Sequence, residues 1–360
     1  MNIKPIAIYL PQFHPISENN EWWGKGFTEW TNVVKAKPCF EGHYQPHLPS
    51  DLGFYDLRRE EARLAQEELA KSYGIYGFCY YHYWFNGKRL LHEPLDRKLK
   101  NTKEDFPFMM CWANENWTRT WDGSANKILL SQEYSIDDDK KHIQHLITYF
   151  KDDRYIKVNG KPIFIIYRPK FFPNIEQTIE LWRKEVKMAG FPDLYIGFSQ
   201  NFEHQYEPES KGFDFAFEFQ PNFSNTSNSI SFPRTFFQKH FRRLKKQLKI
   251  KVEDLKYYYD YSAFTNKQIE KKFKKDVYPG ITPMWDNSAR RKENPFILHD
   301  STPEKYRKWL SFIKENYPWN TVPENFLFIN AWNEWAEGNH LEPCQKWGTE
   351  YLEITKESLK

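Results

Sequence analysis

The sequence predicts a (β/α)8 TIM barrel, an α/β fold in which parallel strands alternate with helices. Three observations predict it. Short apolar runs recur at residues 6–10, 74–80, 107–112, 162–167, 194–198, 213–217, 280–284 and 326–329. Most are continuous rather than alternating, as parallel strands covered on both faces are. Helical patterns fill most of the gaps, at 57–73, 140–150, 175–189, 269–275 and 303–316, and repeated strand-then-helix order is the mark of this architecture. The length, 360 residues, suits one large barrel with insertions. No linker divides the chain, so 1–360 reads as a single catalytic domain.

The elements follow in order. The first run, Ile6-Ala-Ile-Tyr-Leu10, stops at Pro11. Residues 14–56 then form a first insertion, rich in Trp, Gly, His and Pro, expected to loop over the barrel mouth. In the first long helix the apolar positions are Leu57, Ala62, Leu64, Ala65, Leu69 and Tyr73. The second to sixth runs end in polar or aromatic residues. A second insertion, 222–266, follows the sixth run and opens with Asn222-Phe-Ser-Asn-Thr-Ser-Asn-Ser. The seventh run contains Pro283, which belongs at a strand edge, start or bulge. The eighth, Phe326-Leu-Phe-Ile329, leads into Asn330-Ala-Trp332-Asn333-Glu334-Trp335-Ala-Glu337-Gly338.

Bulk properties exclude several classes. Mean hydropathy is −0.82, and no apolar stretch of ~18 residues is present to span a membrane. The N-terminal apolar run is too short for a secretory signal, so a cytoplasmic chain is expected. A net charge of +4 is too small to argue for nucleic acid. Cys39, Cys79, Cys111 and Cys344 form no Cys-x-x-Cys pair. His14, His43, His47 and His82 lack tight ligand spacing, so no metal is expected. No Gly-x-Gly-x-x-Gly or Walker loop is present, and no cofactor is expected. Asp137-Asp138-Asp139 looks like the Asp-x-Asp of metal-dependent glycosyltransferases, but it precedes a helical run, where acidic residues cap and complement the dipole.

Aromatics make up 18% of the chain, and many stand beside polar residues at strand ends, where barrel active sites lie. Those ends supply His14; Tyr81, His82 and Trp84; Trp112, Asn114, Glu115 and Trp117; Glu218; Trp285; and Asn333, Glu334 and Glu337. Together they predict a wet, aromatic-walled pocket suited to an oligosaccharide or polysaccharide. Glu334 and Glu337 are the candidate acid/base pair. Three apart, they oppose each other on a strand but share a face in a helical turn, and Gly338 allows such a turn. The alternative is a helix N-terminal turn whose carboxylates meet the dipole. Glu115 is either catalytic support or an acceptor for a sugar hydroxyl. Glu29, Trp30, Tyr44 and His47, with His43, belong to the first insertion and either reach the substrate or pack ordinarily. Residues 234–250 pattern as an amphipathic helix, with Phe237, Phe241, Leu244 and Leu248 on one face and Lys and Arg elsewhere. Such a helix either lies peripherally on an anionic membrane or covers the barrel.

Five motifs carry a family resemblance. They are Ala7-Ile-Tyr-Leu-Pro-Gln12-Phe-His14, Gly26-Phe-Thr-Glu-Trp30, Phe78-Cys-Tyr-Tyr-His-Tyr-Trp84, Trp112-Ala-Asn-Glu-Asn-Trp117 and Ala331-Trp-Asn-Glu-Trp-Ala-Glu-Gly338. The chain resembles the WbsX-type family, glycosyltransferases of lipopolysaccharide and capsule biosynthesis. That family is similar to glycoside hydrolase family 99, endo-acting mannosidases and mannanases with a (β/α)8 barrel. The resemblance implies that Glu334 acts as base on a sugar 2-hydroxyl, giving an epoxide-like intermediate with retention. It implies that Glu337 is the general acid/base at the leaving oxygen. Ala336 stands where the hydrolases commonly carry His. Hydrolysis, transfer from a glycosidic donor and transfer from a nucleotide sugar all stay open, as does a non-catalytic glycan-binding or scaffold protein.

Overall fold

The computed structural model describes residues 2–119, 124–200, 207–222, 243–244, 257–291 and 294–360. Parallel strands form the barrel: β1 (Lys4–Tyr9), β2 (Gly77–Phe85), β3 (Phe108–Trp112), β4 (Lys161–Ile166), β5 (Tyr195–Gln200), β6 (Phe215–Glu218), β7 and β8 (Phe326–Ile329). β7 consists of Val277–Tyr278 and Gly280–Ile281, divided by Pro279. The first segment pairs with β6 and the second with β8, while β8 pairs with β1, so the ring is completed through β7. Gly280 is needed there, because a Cβ would sit 1.7 Å from the Glu218 carbonyl oxygen. Proline removes a ladder donor, which explains the interruption; the strand lies upstream of the expected 280–284.

Helices α1 (Glu60–Ser72), α2 (Glu93–Lys100), α3 (Ile136–Phe150), α4 (Ile175–Met188), α5 (Tyr261–Ile269), α6 (Pro303–Asn316) and α7 (Glu350–Leu359) accompany the strands. Their buried faces carry the apolar periodicity, as Ile143, Leu146, Ile147 and Phe150 do on α3. The acidic run opens α3, although Ser135 is the capping residue, accepting from the Asp138 N–H at 3.2 Å. Asp138 and Asp139 are buried and bonded to Trp84 and Thr178.

Two expectations need correction, the helix at 269–275 and the first insertion as a loop. The helix expected at 269–275 lies upstream as α5, because Asp260 caps Ala263 at 2.7 Å and Lys271 leaves to pair with Glu218. Between β5 and β6 the described connection is a 3-10 turn, Pro208–Lys211, ended by Gly212 in the left-handed region. The first insertion is not a bare loop: it contains short helices Ser17–Trp23 and Glu29–Val33. Outside the barrel sheet, Tyr257–Asp260, Phe296–His299 and Trp285–Asp286 form a small separate sheet. The expected amphipathic helix over 234–250 lies outside the described residues, apart from Arg243 and Leu244. Among the described residues no helix is long and apolar enough to cross a membrane.

Candidate active site

The segment after β8 builds the centre of the site. The Trp332 N–H donates to the Ile8 carbonyl at 2.7 Å, and Asn333 accepts from the Leu10 N–H at 2.7 Å and donates to the Leu10 carbonyl at 3.1 Å. These bonds anchor the chain to the end of β1. Asn333–Glu334 then pairs antiparallel with Asn339–His340 around the 3-10 turn Trp335–Glu337. In a 3-10 turn, side chains at i and i+3 eclipse, so Glu334 and Glu337 share one face. Gly338 ends the turn at φ 53, ψ 34, and a Cβ there would lie 2.9 Å from the Asp286 carbonyl oxygen.

Both carboxylates meet Arg290. Its Nη1 donates to Glu337 at 2.7 Å and its Nη2 to Glu334 at 3.2 Å. The same guanidinium donates from Nη2 and Nε to Glu29 at 2.5 and 3.2 Å. Arg290 is delivered by the 3-10 turn Asn287–Ala289, whose cap is the Asp286 side chain. Burial and the charge of Glu337 push the Glu334 carboxyl up to about 8, against the pull of Arg290. Burial likewise raises Glu337, again opposed by Arg290. The two are close enough to titrate as a pair. Glu334 is the deeper, its side chain 6% exposed against 19% for Glu337.

They face a cavity of about 850 Å³ at the C-terminal mouth of the barrel. Tyr81, Asn114, Glu115, Trp117 and Trp285 also line it, as do Arg290, Trp23, Tyr83 and Tyr134. Glu115 accepts from Arg168 Nε at 2.9 Å, and both line this cavity. Asn114 braces the wall: it donates to the Tyr134 hydroxyl and the Arg168 carbonyl, each at 2.9 Å.

Other candidates lie away from the cavity. On β2, Tyr81 and Tyr83 face it, so strand alternation turns His82 and Trp84 toward the helices. His82 meets His142 at 2.9 Å, and burial pushes it down to about 3; Trp84 donates to Asp138. Trp112 is 1% exposed, packed edge-on to His142 at 4.4 Å. His14 is fully buried and pushed by burial down to about 4. Trp30 packs among Phe13, Tyr55 and Trp335, behind the Trp335–Glu337 turn. Glu29 serves Arg290, Glu218 pairs with Lys271, and Asn333 is spent on the backbone of Leu10. Tyr44 and His47 line a second cavity of about 210 Å³. Among the described residues no three His, Cys, Asp or Glu side chains gather as a metal site.

Residues 5–355 match the family described as "Glycosyltransferase WbsX". The chain belongs to this WbsX family. It is similar to the uncharacterized protein WxcX of Xanthomonas campestris pv. campestris, strain B100, at 40% identity over 357 residues, covering 98% of this chain and 49% of that protein. WxcX of a second strain gives the same values. The chain thus spans about half the length of the curated relatives it matches. Among solved structures, a "Glycoside hydrolase-like protein" superposes with TM-score 0.60 at 13% identity, covering 100% of this chain and 94% of that one. The GH99 endo-alpha-mannosidase from Bacteroides thetaiotaomicron, in complex with bis-tris propane, gives TM-score 0.60 at 13% identity, covering 99% and 95%. The barrel fold is therefore shared with them. The family's description names a glycosyltransferase, and the superposition shows the fold alone.

Arg290, which meets both carboxylates, was not singled out by sequence reasoning. Its signal was faint: it stands four residues beyond Asp286, in Asn287-Ser-Ala-Arg290, just past the strand-end group.

Proposed function

We propose that the chain makes, breaks or transfers glycosidic bonds of a bacterial surface polysaccharide, with Glu334 and Glu337 as its acid/base pair. The observation that carries this reading is the shared face of the two carboxylates on one turn, opening into a large aromatic-lined cavity. Buried carboxylates in mutual repulsion resist ionising together, so the pair holds a proton near neutral pH. One member is then an acid while the other is a base, as glycosidic chemistry requires.

Burial alone favours leaving the proton on the deeper Glu334. A sugar 2-hydroxyl donating to Glu334 would favour its charged form and leave the proton on Glu337. Glu334 then takes the hydroxyl proton as the 2-oxygen bonds to the anomeric carbon, while Glu337 protonates the departing oxygen as its bond to that carbon breaks; water or an acceptor hydroxyl, giving its proton to Glu337, then opens the three-membered ring, and the 2-oxygen takes its proton back from Glu334. Tyr81, Trp117 and Trp285 offer flat apolar faces to pyranose rings, and Glu115 with Arg168 offers polar partners for hydroxyls. The likeness to GH99 supports cleavage, or transfer from a glycosidic donor; the family's description supports transfer. We infer further that residues 234–250 touch an anionic membrane surface, on the strength of their basic amphipathic pattern.

The test is a screen of oligosaccharides and nucleotide sugars for binding and turnover. Glu334→Gln and Glu337→Gln should fold normally and lose about 10²- to 10⁴-fold in rate. Near-native turnover by either removes its assigned role. Glycan binding without turnover in the native protein, unchanged in both variants, would make this a binding protein instead.

A further inference from the structure

Glu29 takes no part in the acid/base reading, yet it is a fully buried carboxylate placed beside two others. Burying a carboxylate is costly unless it is paired. A structural ion pair needs one acid for one base. Here one guanidinium serves three acids, at 2.5 Å to Glu29, 2.7 Å to Glu337 and 3.2 Å to Glu334. The acids come from separate parts of the chain: Glu29 begins the helix Glu29–Val33 in the first insertion, and the pair lies on the turn after β8. Glu29 is itself fixed, since its N–H donates to the Gln12 carbonyl at 3.0 Å, just beyond β1. The helix start is held by a capping box between Thr28 and Thr31.

We propose that Glu29 and Arg290 are a positioning pair: Arg290 orients the Glu334 and Glu337 carboxylates on one face, and Glu29 both fixes Arg290 and offsets its charge. Arg290 alone, one hydrogen bond from each acid, would pull both toward the ionised form and empty the pair of its proton. Glu29, on the same guanidinium, restores the negative surroundings that keep the proton. Lysine could not replace Arg290, because a point charge lacks the planar fork that reaches three partners. The catalytic meaning of this pair rests on the acid/base reading above; its electrostatic role does not.

The experiment needs no substrate. Intact protein carrying 13C-carboxyl glutamate is titrated from pH 4 to 10 by infrared difference spectroscopy, with E334Q and E337Q identifying the bands of the pair. E29Q should lower the midpoint of the pair, and R290M should raise it, each by about 1–3 pH units. The double variant E29Q/R290M, which loses no net charge, should fall between them. Midpoints unmoved by both single substitutions, or moved in the same direction, overturn the proposal. If R290M does not fold, E29Q decides alone: a midpoint that stays or rises refutes the pair. Opposed shifts in a protein that turns over no glycan would keep the positioning pair and remove the acid/base reading.

Discussion

Glu334→Gln should stabilise the protein while disabling it, and the gain should grow with pH. The folded state holds the Glu334 carboxyl at about 8, against an ordinary 4.5. A group raised in this way contributes its full stability below the unfolded value and loses it as pH climbs through the folded value. Between about pH 4.5 and 8, therefore, the native chain should weaken progressively on this account. At roughly 1.4 kcal/mol per pH unit the displacement has a ceiling on the order of 5 kcal/mol. Relaxation around the buried charge and the proton shared with Glu337 reduce it, so a few kcal/mol is expected at pH 9. Gln keeps the shape and an acceptor for Arg290 and carries no charge to bury. The assay is the urea midpoint and Tm of native and E334Q proteins from pH 5 to 9, compared pairwise so that other titrations cancel. The variant should be near native at pH 5 and several degrees more stable at pH 9. A gap that stays constant, or that favours the native chain at high pH, refutes the reasoning.

Further outcomes follow from the same geometry. Gly338→Ala places a Cβ on a left-handed residue 2.9 Å from Asp286, and should cost about 1–3 kcal/mol in denaturant unfolding. Glu342, pushed up to about 7 by burial, accepts from Gln66 at 2.6 Å, Tyr55 at 2.8 Å and Trp335 at 2.6 Å; Glu342→Leu leaves those donors unpaired and should cost about 3 kcal/mol or more, with altered tryptophan fluorescence. Trp117→Ala should weaken glycan binding about tenfold in calorimetry with little loss of stability, whereas Trp112→Ala, in the core, should cost about 3–5 kcal/mol. Replacing Lys and Arg of 234–250 by Gln should abolish salt-sensitive sedimentation with anionic vesicles; unchanged binding would end the membrane reading.

The barrel was legible because its strands are short apolar runs bounded by polar turns, a pattern read locally. β7 was displaced in the reading because Pro279 and Pro283 both interrupt its run, and only pairing with β6 and β8 decides which segment is strand. Glu334 and Glu337 were legible because three-residue spacing before a glycine is itself a geometric statement. Arg290 was not, since its contacts reach across 44 residues to Glu334 and 261 to Glu29. His82 and Trp84 show a signal available but unused: with Tyr81 and Tyr83 turned to the cavity, period two assigns their neighbours to the other face. Trp30 and His14 sit in motifs beside the site, yet both are buried away from the cavity, Trp30 against Trp335 of the Trp335–Glu337 turn.

The most direct measurement is a crystal structure of the E334Q protein with the oligosaccharide that binds it most tightly in the screen. The account predicts a sugar ring in the 850 Å³ cavity, with the Glu337 carboxyl in hydrogen-bond reach of a glycosidic oxygen and the amide introduced by E334Q beside the 2-hydroxyl. A glycan seated only in the smaller cavity beside Tyr44 and His47, or along the surface with the Trp335–Glu337 turn untouched, would contradict it.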